Sequence, residues 1–130
     1  MSPEASFVSL LLLTLALLGG VVRTGLAARR RTHLTLVACA ILSLAATVVC
    51  AERLGRFYDL QAAGWITPFH LALAKLTAAA YVLPIATGIL TLRRPARRRL
   101  HRRMAWIVLS LTAAAAVTGT IMLLRAERLP

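Results

Sequence analysis

Arg93-Arg94-Pro95-Ala96-Arg97-Arg98-Arg99-Leu100-His101-Arg102-Arg103 packs seven arginines into eleven residues, with long apolar runs on both sides. Basic loops between membrane-spanning helices stay in the cytoplasm, because moving Lys and Arg across the bilayer is unfavourable. A second basic cluster, Arg23, Arg29, Arg30 and Arg31, lies two apolar segments earlier. In the linker between those segments Glu52, Arg53, Arg56 and Asp59 cancel. This alternation predicts an all-α, multi-pass membrane protein: an up-down four-helix transmembrane bundle, N-out/C-out, with loops 23–32 and 93–103 cytoplasmic.

The 130 residues allow one domain, and 59% of them are hydrophobic while only 15% are charged. A soluble domain of this size carries more charge. The net charge of +12 does not indicate nucleic acid, because eleven of the sixteen basic residues fall in the two short loops. Those loops suit anionic lipid headgroups, where each Lys or Arg contributes ~1 kcal/mol. Cys39 and Cys50 share one predicted helix. Their separation of roughly 16 Å along it forbids a disulfide. Cys39 is expected as a small core residue.

The spans are predicted at residues 6–22, 33–51, 65–92 and 104–124, each near the ~20 apolar residues that cross a hydrocarbon core. The first is read as a retained span, since Glu4 precedes it and its positive charges follow it. Gly19, Gly20 and Gly25 are expected to mark its frayed inner end. Trp65 and Phe69 belong at the outer interface and Trp106 at the inner one. Pro84 should kink the third span, with Thr77, Thr87 or a water meeting the freed carbonyl. No internal repeat is apparent.

At 100° per residue, the third span aligns His70, Ala74, Thr77, Tyr81, Pro84 and Gly88. The fourth aligns His101, Ala105, Val108, Thr112, Ala115, Ala116 and Gly119. The second aligns His33, Ala40, Ser43, Thr47 and, at its edge, Cys50. In lipid, helices associate through small residues and interhelical hydrogen bonds. These stripes are therefore the expected interior, and all three histidines of the chain lie on them.

His33 and His101 open the second and fourth spans at the predicted cytoplasmic side. A diagonal gap of roughly 12–14 Å between those helices would admit a haem plane with an imidazole from each side. Arg31, Arg102 and Arg103 could then pair with its propionates. Equally, both histidines could be interfacial residues meeting lipid phosphate or capping a helix. His70 lies near the opposite side and cannot share a ligand with the other two. Cys50, Arg53, Tyr58, Asp59 and Met122 are its possible outer neighbours, and His, Cys and Met together would suit a copper ion. An interior His70 hydrogen-bonded to Thr47 or Tyr58 is the plainer expectation. Lys75 is the one charge well inside a span, where charges are costly. It points about 140° from His70, toward the outer surface by snorkelling or toward a partner protein.

The pattern resembles the CtaM-like family of small four-helix bacterial membrane proteins linked to maturation of haem-copper cytochrome oxidase. His33 opens the second helix, Ala51-Glu52-Arg53 resembles the family's Ala-x-Arg element, and His70-Leu71-Ala72-Leu73-Ala74 its His-x-x-Leu-Ala element. His101-Arg102-Arg103 opens the last helix, with Thr118-Gly119 further along. The match runs from about Arg31 to Leu124. It implies a bacterial cytoplasmic (inner) membrane protein that helps a haem-copper oxidase acquire or settle its cofactor, with oxidase subunits as partners. A small b-type cytochrome and a haem-free accessory subunit are the alternatives. No nucleophile–base pair, phosphate loop or His-Glu-x-x-His metal motif suggests an enzyme.

Overall fold

A computed structural model of the chain describes residues 2–129. It consists of helices α1 (Pro3–Leu26), α2 (Arg30–Leu54), α3 (Ile66–Ala80), α4 (Val82–Arg93) and α5 (Arg98–Arg125). Short 3-10 turns lie at Gly55–Phe57, Leu60–Ala63 and Pro95–Arg97. Among the described residues, extended structure is confined to Tyr58–Asp59 and Glu127–Arg128. Four helical stretches are long and apolar enough to cross a membrane: Pro3–Leu26, Arg30–Phe57, Ile66–Arg93 and Pro95–Arg125.

The helices overrun the apolar segments at nearly every end. Hydrophobicity marks only the part that wants lipid, whereas the helix continues through interfacial residues with good helix propensity. Thus α5 starts within the arginine run, at Arg98. At the start of α1, Ser2 accepts a hydrogen bond from the Ala5 amide, Pro3 fills the first turn and Glu4 complements the helix dipole.

The chain forms two compact units, residues 1–58 and 59–130. The first is an antiparallel hairpin of α1 and α2. Its turn is a Schellman motif: the Arg29 amide donates to the Thr24 carbonyl at 3.0 Å and the Ala28 amide to the Gly25 carbonyl at 3.3 Å. Ala28 occupies the left-handed position at φ 55°, where glycine is the usual residue. Gly19, Gly20 and Gly25 do not fray α1, which remains helical to Leu26. In the middle of the hairpin Thr14 is buried, with its Oγ1 2.7 Å from Ser43 Oγ and 3.0 Å from Thr47 Oγ1.

In the second unit α5 packs along α3 and α4. Gly64, at φ 70°, turns the chain into α3. The helix is interrupted at Tyr81, three residues before Pro84. Proline has no amide hydrogen, so the bond that position 84 would give the Ala80 carbonyl is missing. Neither threonine answers that carbonyl as expected: Thr77 Oγ1 donates to Leu73, and Thr87 Oγ1 bonds Leu83 and Pro84. Pro95 ends α4 by forcing Arg94 into an extended conformation.

The small, polar stripes are the interior. Every residue placed on them is buried or half-buried. Of the twelve buried residues among those described, six carry a hydroxyl: Thr14, Ser43, Thr47, Thr67, Thr77 and Thr87. Large aliphatic residues face outward instead, including Leu42, Val82 and Leu124. This inversion of the water-soluble pattern suits a lipid solvent. Trp65 and Phe69 stack edge-to-face on the exposed surface, with centroids 6.1 Å apart, and Trp106 is exposed as well. Cys39 departs from expectation: it is exposed, because it sits one position, or 100°, away from the buried Ala40.

Candidate functional site

Each histidine is seated on a Thr-Gly step of the helix packed against it. His33, in the first turn of α2, places its Nδ1 3.0 Å from the Val21 carbonyl and 3.4 Å from Thr24 Oγ1. A β-carbon added to Gly25 would lie 3.1 Å from His33 Cε1. His101, in the first turn of α5, has its Nδ1 3.3 Å from Thr87 Oγ1, and a β-carbon on Gly88 would come 3.3 Å from its Cε1. His70, in α3, places its Nδ1 3.0 Å from Thr118 Oγ1, and a β-carbon on Gly119 would meet its Cε1 at 2.7 Å. In all three seats the glycine admits the Cε1 edge of the ring and the threonine meets Nδ1.

The division of protons follows from the threonines. Each has one hydroxyl hydrogen. Thr24 donates its hydrogen to the Gly20 carbonyl, Thr87 to Leu83 and Thr118 to Ala114, at 2.8, 2.7 and 2.9 Å. Toward histidine the hydroxyl oxygen can then only accept. The imidazole therefore donates from Nδ1, and Val21, a carbonyl, requires the same of His33. In the neutral ring the basic nitrogen is then Nε2 at all three seats. A hydrogen bond that fixes ring orientation and tautomer through one nitrogen is how proteins prepare the other as a ligand.

The two seats at His33 and His101 share further features. Both histidines are the fourth residue of their helix, counting from Arg30 and from Arg98. Both have arginines close in sequence, Arg31 two positions before His33 and Arg102 and Arg103 directly after His101, all three exposed. At 100° per residue Arg31 and Arg103 leave from the far side of their helices. His33 belongs to the first unit and His101 to the second. His70 has no arginine near it in sequence.

His70 does not bond Thr47 or Tyr58. Thr47 belongs to the Thr14 cluster, and the Tyr58 hydroxyl donates to Glu4 Oε1 at 3.3 Å. Met122 is buried against Ala63 and Ile66, and the Asp59 carboxylate accepts from the Gln61 amide. Among the described residues no group of three or more His, Cys, Asp or Glu gathers to hold a metal. Arg53 is exposed in the last turn of α2. Tyr81 lies in the break between α3 and α4, where its hydroxyl is 2.9 Å from Thr112 Oγ1. Lys75 is exposed.

Thr87 and Thr118-Gly119 stand out in the sequence but are not paired there with histidines, although a signal exists. Thr-Gly occurs three times in the chain, as do histidines, and the structure matches them one to one. This is a local repeat too short to register as repeated sequence. No protein-family model, no curated protein and no solved structure matches the chain.

Proposed function

We propose that this chain is a maturation factor for a haem-copper respiratory oxidase in the bacterial cytoplasmic membrane, and that its histidine seats at His33 and at His101, each taken by itself, contact haem. The observation that carries the haem contact is the shared seat of these two residues. Each imidazole is held by a Thr-Gly step with its proton on Nδ1, and exposed arginines lie one or two positions away in sequence. Haem, if bound, would supply an iron that accepts an imidazole nitrogen, and His33 and His101 would each offer theirs. The seat suits that ligand because it leaves Nε2 as the basic nitrogen and limits ring rotation. Arg31, Arg102 and Arg103 would hold the propionates by charge-assisted hydrogen bonds. The arginine runs favour a cytoplasmic position for both seats, with N-out/C-out topology. The oxidase as beneficiary rests on the CtaM-like resemblance.

A haem-free accessory subunit is the second reading, and the His70 seat favours it. That seat has the same geometry without arginines, as a device that only joins helices would. Visible difference spectra separate the two. Protein purified in mild detergent from cells supplied with haem precursor should show a haem band, weakened in His33→Ala and in His101→Ala, lost when both are replaced, and kept in His70→Ala. Deletion should lower oxidase activity while oxidase polypeptide stays in the membrane. Folded protein without haem would sink the haem contact; unchanged oxidase activity on deletion would sink the maturation role.

A further inference from the structure

Fifteen of the sixteen basic residues are arginine, and the single lysine of the chain is Lys75, inside a span. The midpoint of Ile66–Arg93 falls between Ala79 and Ala80. Lys75 Cα then lies roughly 7 Å from the centre of a hydrocarbon core ~30 Å thick, and roughly 8 Å beneath its nearer edge. An extended lysine stem reaches roughly 6 Å. Its ammonium therefore stays within hydrocarbon even when it snorkels.

Lys75 is exposed on its helix and has no hydrogen-bond or ion-pair partner among the described residues. Of its i±3 and i±4 helical neighbours, Ala72, Ala78 and Ala79 are small and exposed, while Leu71 is large and exposed. On the alanine side of the cation another helix backbone can approach closely. An intramembrane cation of this kind is costly unless it meets an opposite charge.

We propose that Lys75 is a docking point for a membrane-embedded carboxylate on a transmembrane helix of a different protein. A second copy of this chain fits less well. Its four acids are Glu4 in the first turn of α1, Glu52 near the end of α2, Asp59 before α3 and Glu127 after α5, so each lies nearer a helix end than Lys75 does. Lipid phosphate does not fit, because it lies at the headgroup level that the stem fails to reach. The inference is independent of haem binding.

Dicyclohexylcarbodiimide added to native membranes tests it. The reagent activates a carboxylate in the hydrocarbon, the Lys75 amine displaces the activated oxygen, and an amide forms as dicyclohexylurea leaves. We expect a covalent adduct with another polypeptide, absent in Lys75→Arg, whose peptide map joins Lys75 to an Asp or Glu inside an apolar span. Lys75→Glu should reduce co-purification of that polypeptide about tenfold, and exchanging its carboxylate for lysine should restore it. Lack of an adduct, an adduct with a second copy, or an adduct equally present in Lys75→Arg would overturn the proposal. So would coupling to lipid alone, or a charge exchange without rescue.

Discussion

Replacing Gly119 by alanine should damage the protein, whereas the same replacement at Gly19 should help it. A β-carbon at position 119 would stand 2.7 Å from His70 Cε1, 3.1 Å from its Nε2 and 3.4 Å from its Nδ1. Relieving such a contact costs about 1–3 kcal/mol in a packed interior. Moving the ring also weakens the Thr118 hydrogen bond, a loss of about 1 kcal/mol. Alanine returns about 1 kcal/mol through its better helix propensity. The net expectation is a destabilisation of about 1–3 kcal/mol, or about 5- to 150-fold in the unfolding equilibrium. Gly19 has nothing within 4 Å of the same added atom. There only the propensity gain remains, up to about 1 kcal/mol. Gly25 and Gly88, with closest approaches of 3.1 and 3.3 Å, should fall between the two in that order. Unfolding by SDS in mixed micelles measures the series. The double variant Gly119→Ala with His70→Ala should recover much of the loss, because the atoms that collide are then gone. Equal effects at positions 19 and 119, or no recovery in the double variant, would refute the seat as the reason for the glycine.

Three further outcomes follow from the same contacts. Thr14→Val removes the hydroxyl shared by Ser43 and Thr47 and should destabilise the first hairpin by about 1 kcal/mol, the scale of interhelical hydrogen bonds in membranes; micelle unfolding with no change would remove this cluster from the account. Ala28→Gly relieves a left-handed conformation worth roughly 1–2 kcal/mol against a glycine entropy cost of roughly 0.5–1 kcal/mol, so thermal stability in detergent should rise. Tyr81→Phe deletes the hydroxyl facing Thr112 and should cost about 0.6 kcal/mol, with Thr112→Val adding little on top of it.

The interior was legible from the sequence because lipid reverses the usual contrast. His70, Thr77, Tyr81 and Gly88 stand out against Leu, Ile and Val, and their spacing alone sets their face. Thr14 was not legible, since the apolar run around it carries no polar stripe to align with it. Helix ends were read short because arginine leaves a hydropathy pattern but does not leave a helix, as Arg98 to Arg103 show. Cys39 was misplaced because one position of error moves a side chain by 100°. The histidine partners lie 9, 14 and 48 residues away, on facing helices, so no local period could name them.

Threonine provides the link between the fold and the histidines. Inside a helix the backbone carbonyls are already engaged, so a helix face in lipid offers few acceptors to a neighbour. A threonine that returns its own proton to the carbonyl four residues back presents its oxygen on that face as a new acceptor. Thr24, Thr87 and Thr118 do this for the histidines, and Thr112, whose hydroxyl donates to Val108, does it for Tyr81. Tyr81 must then be the donor in its bond, as the imidazoles are in theirs. In each seat glycine makes room for the ring and threonine offers an acceptor to Nδ1, joined at His33 by the closer Val21 carbonyl. Exchanging Thr87 for valine should therefore leave His101 in place while releasing its tautomer. Exchanging Gly88 for leucine should expel the ring. Imidazole nitrogen NMR of the two variants distinguishes these effects, through ¹⁵N shifts in the first and loss of contacts to α4 in the second. If Thr87→Val left the Nδ1 and Nε2 signals unchanged, threonine would be mere packing and the preparation of Nε2 as a ligand would lose its basis.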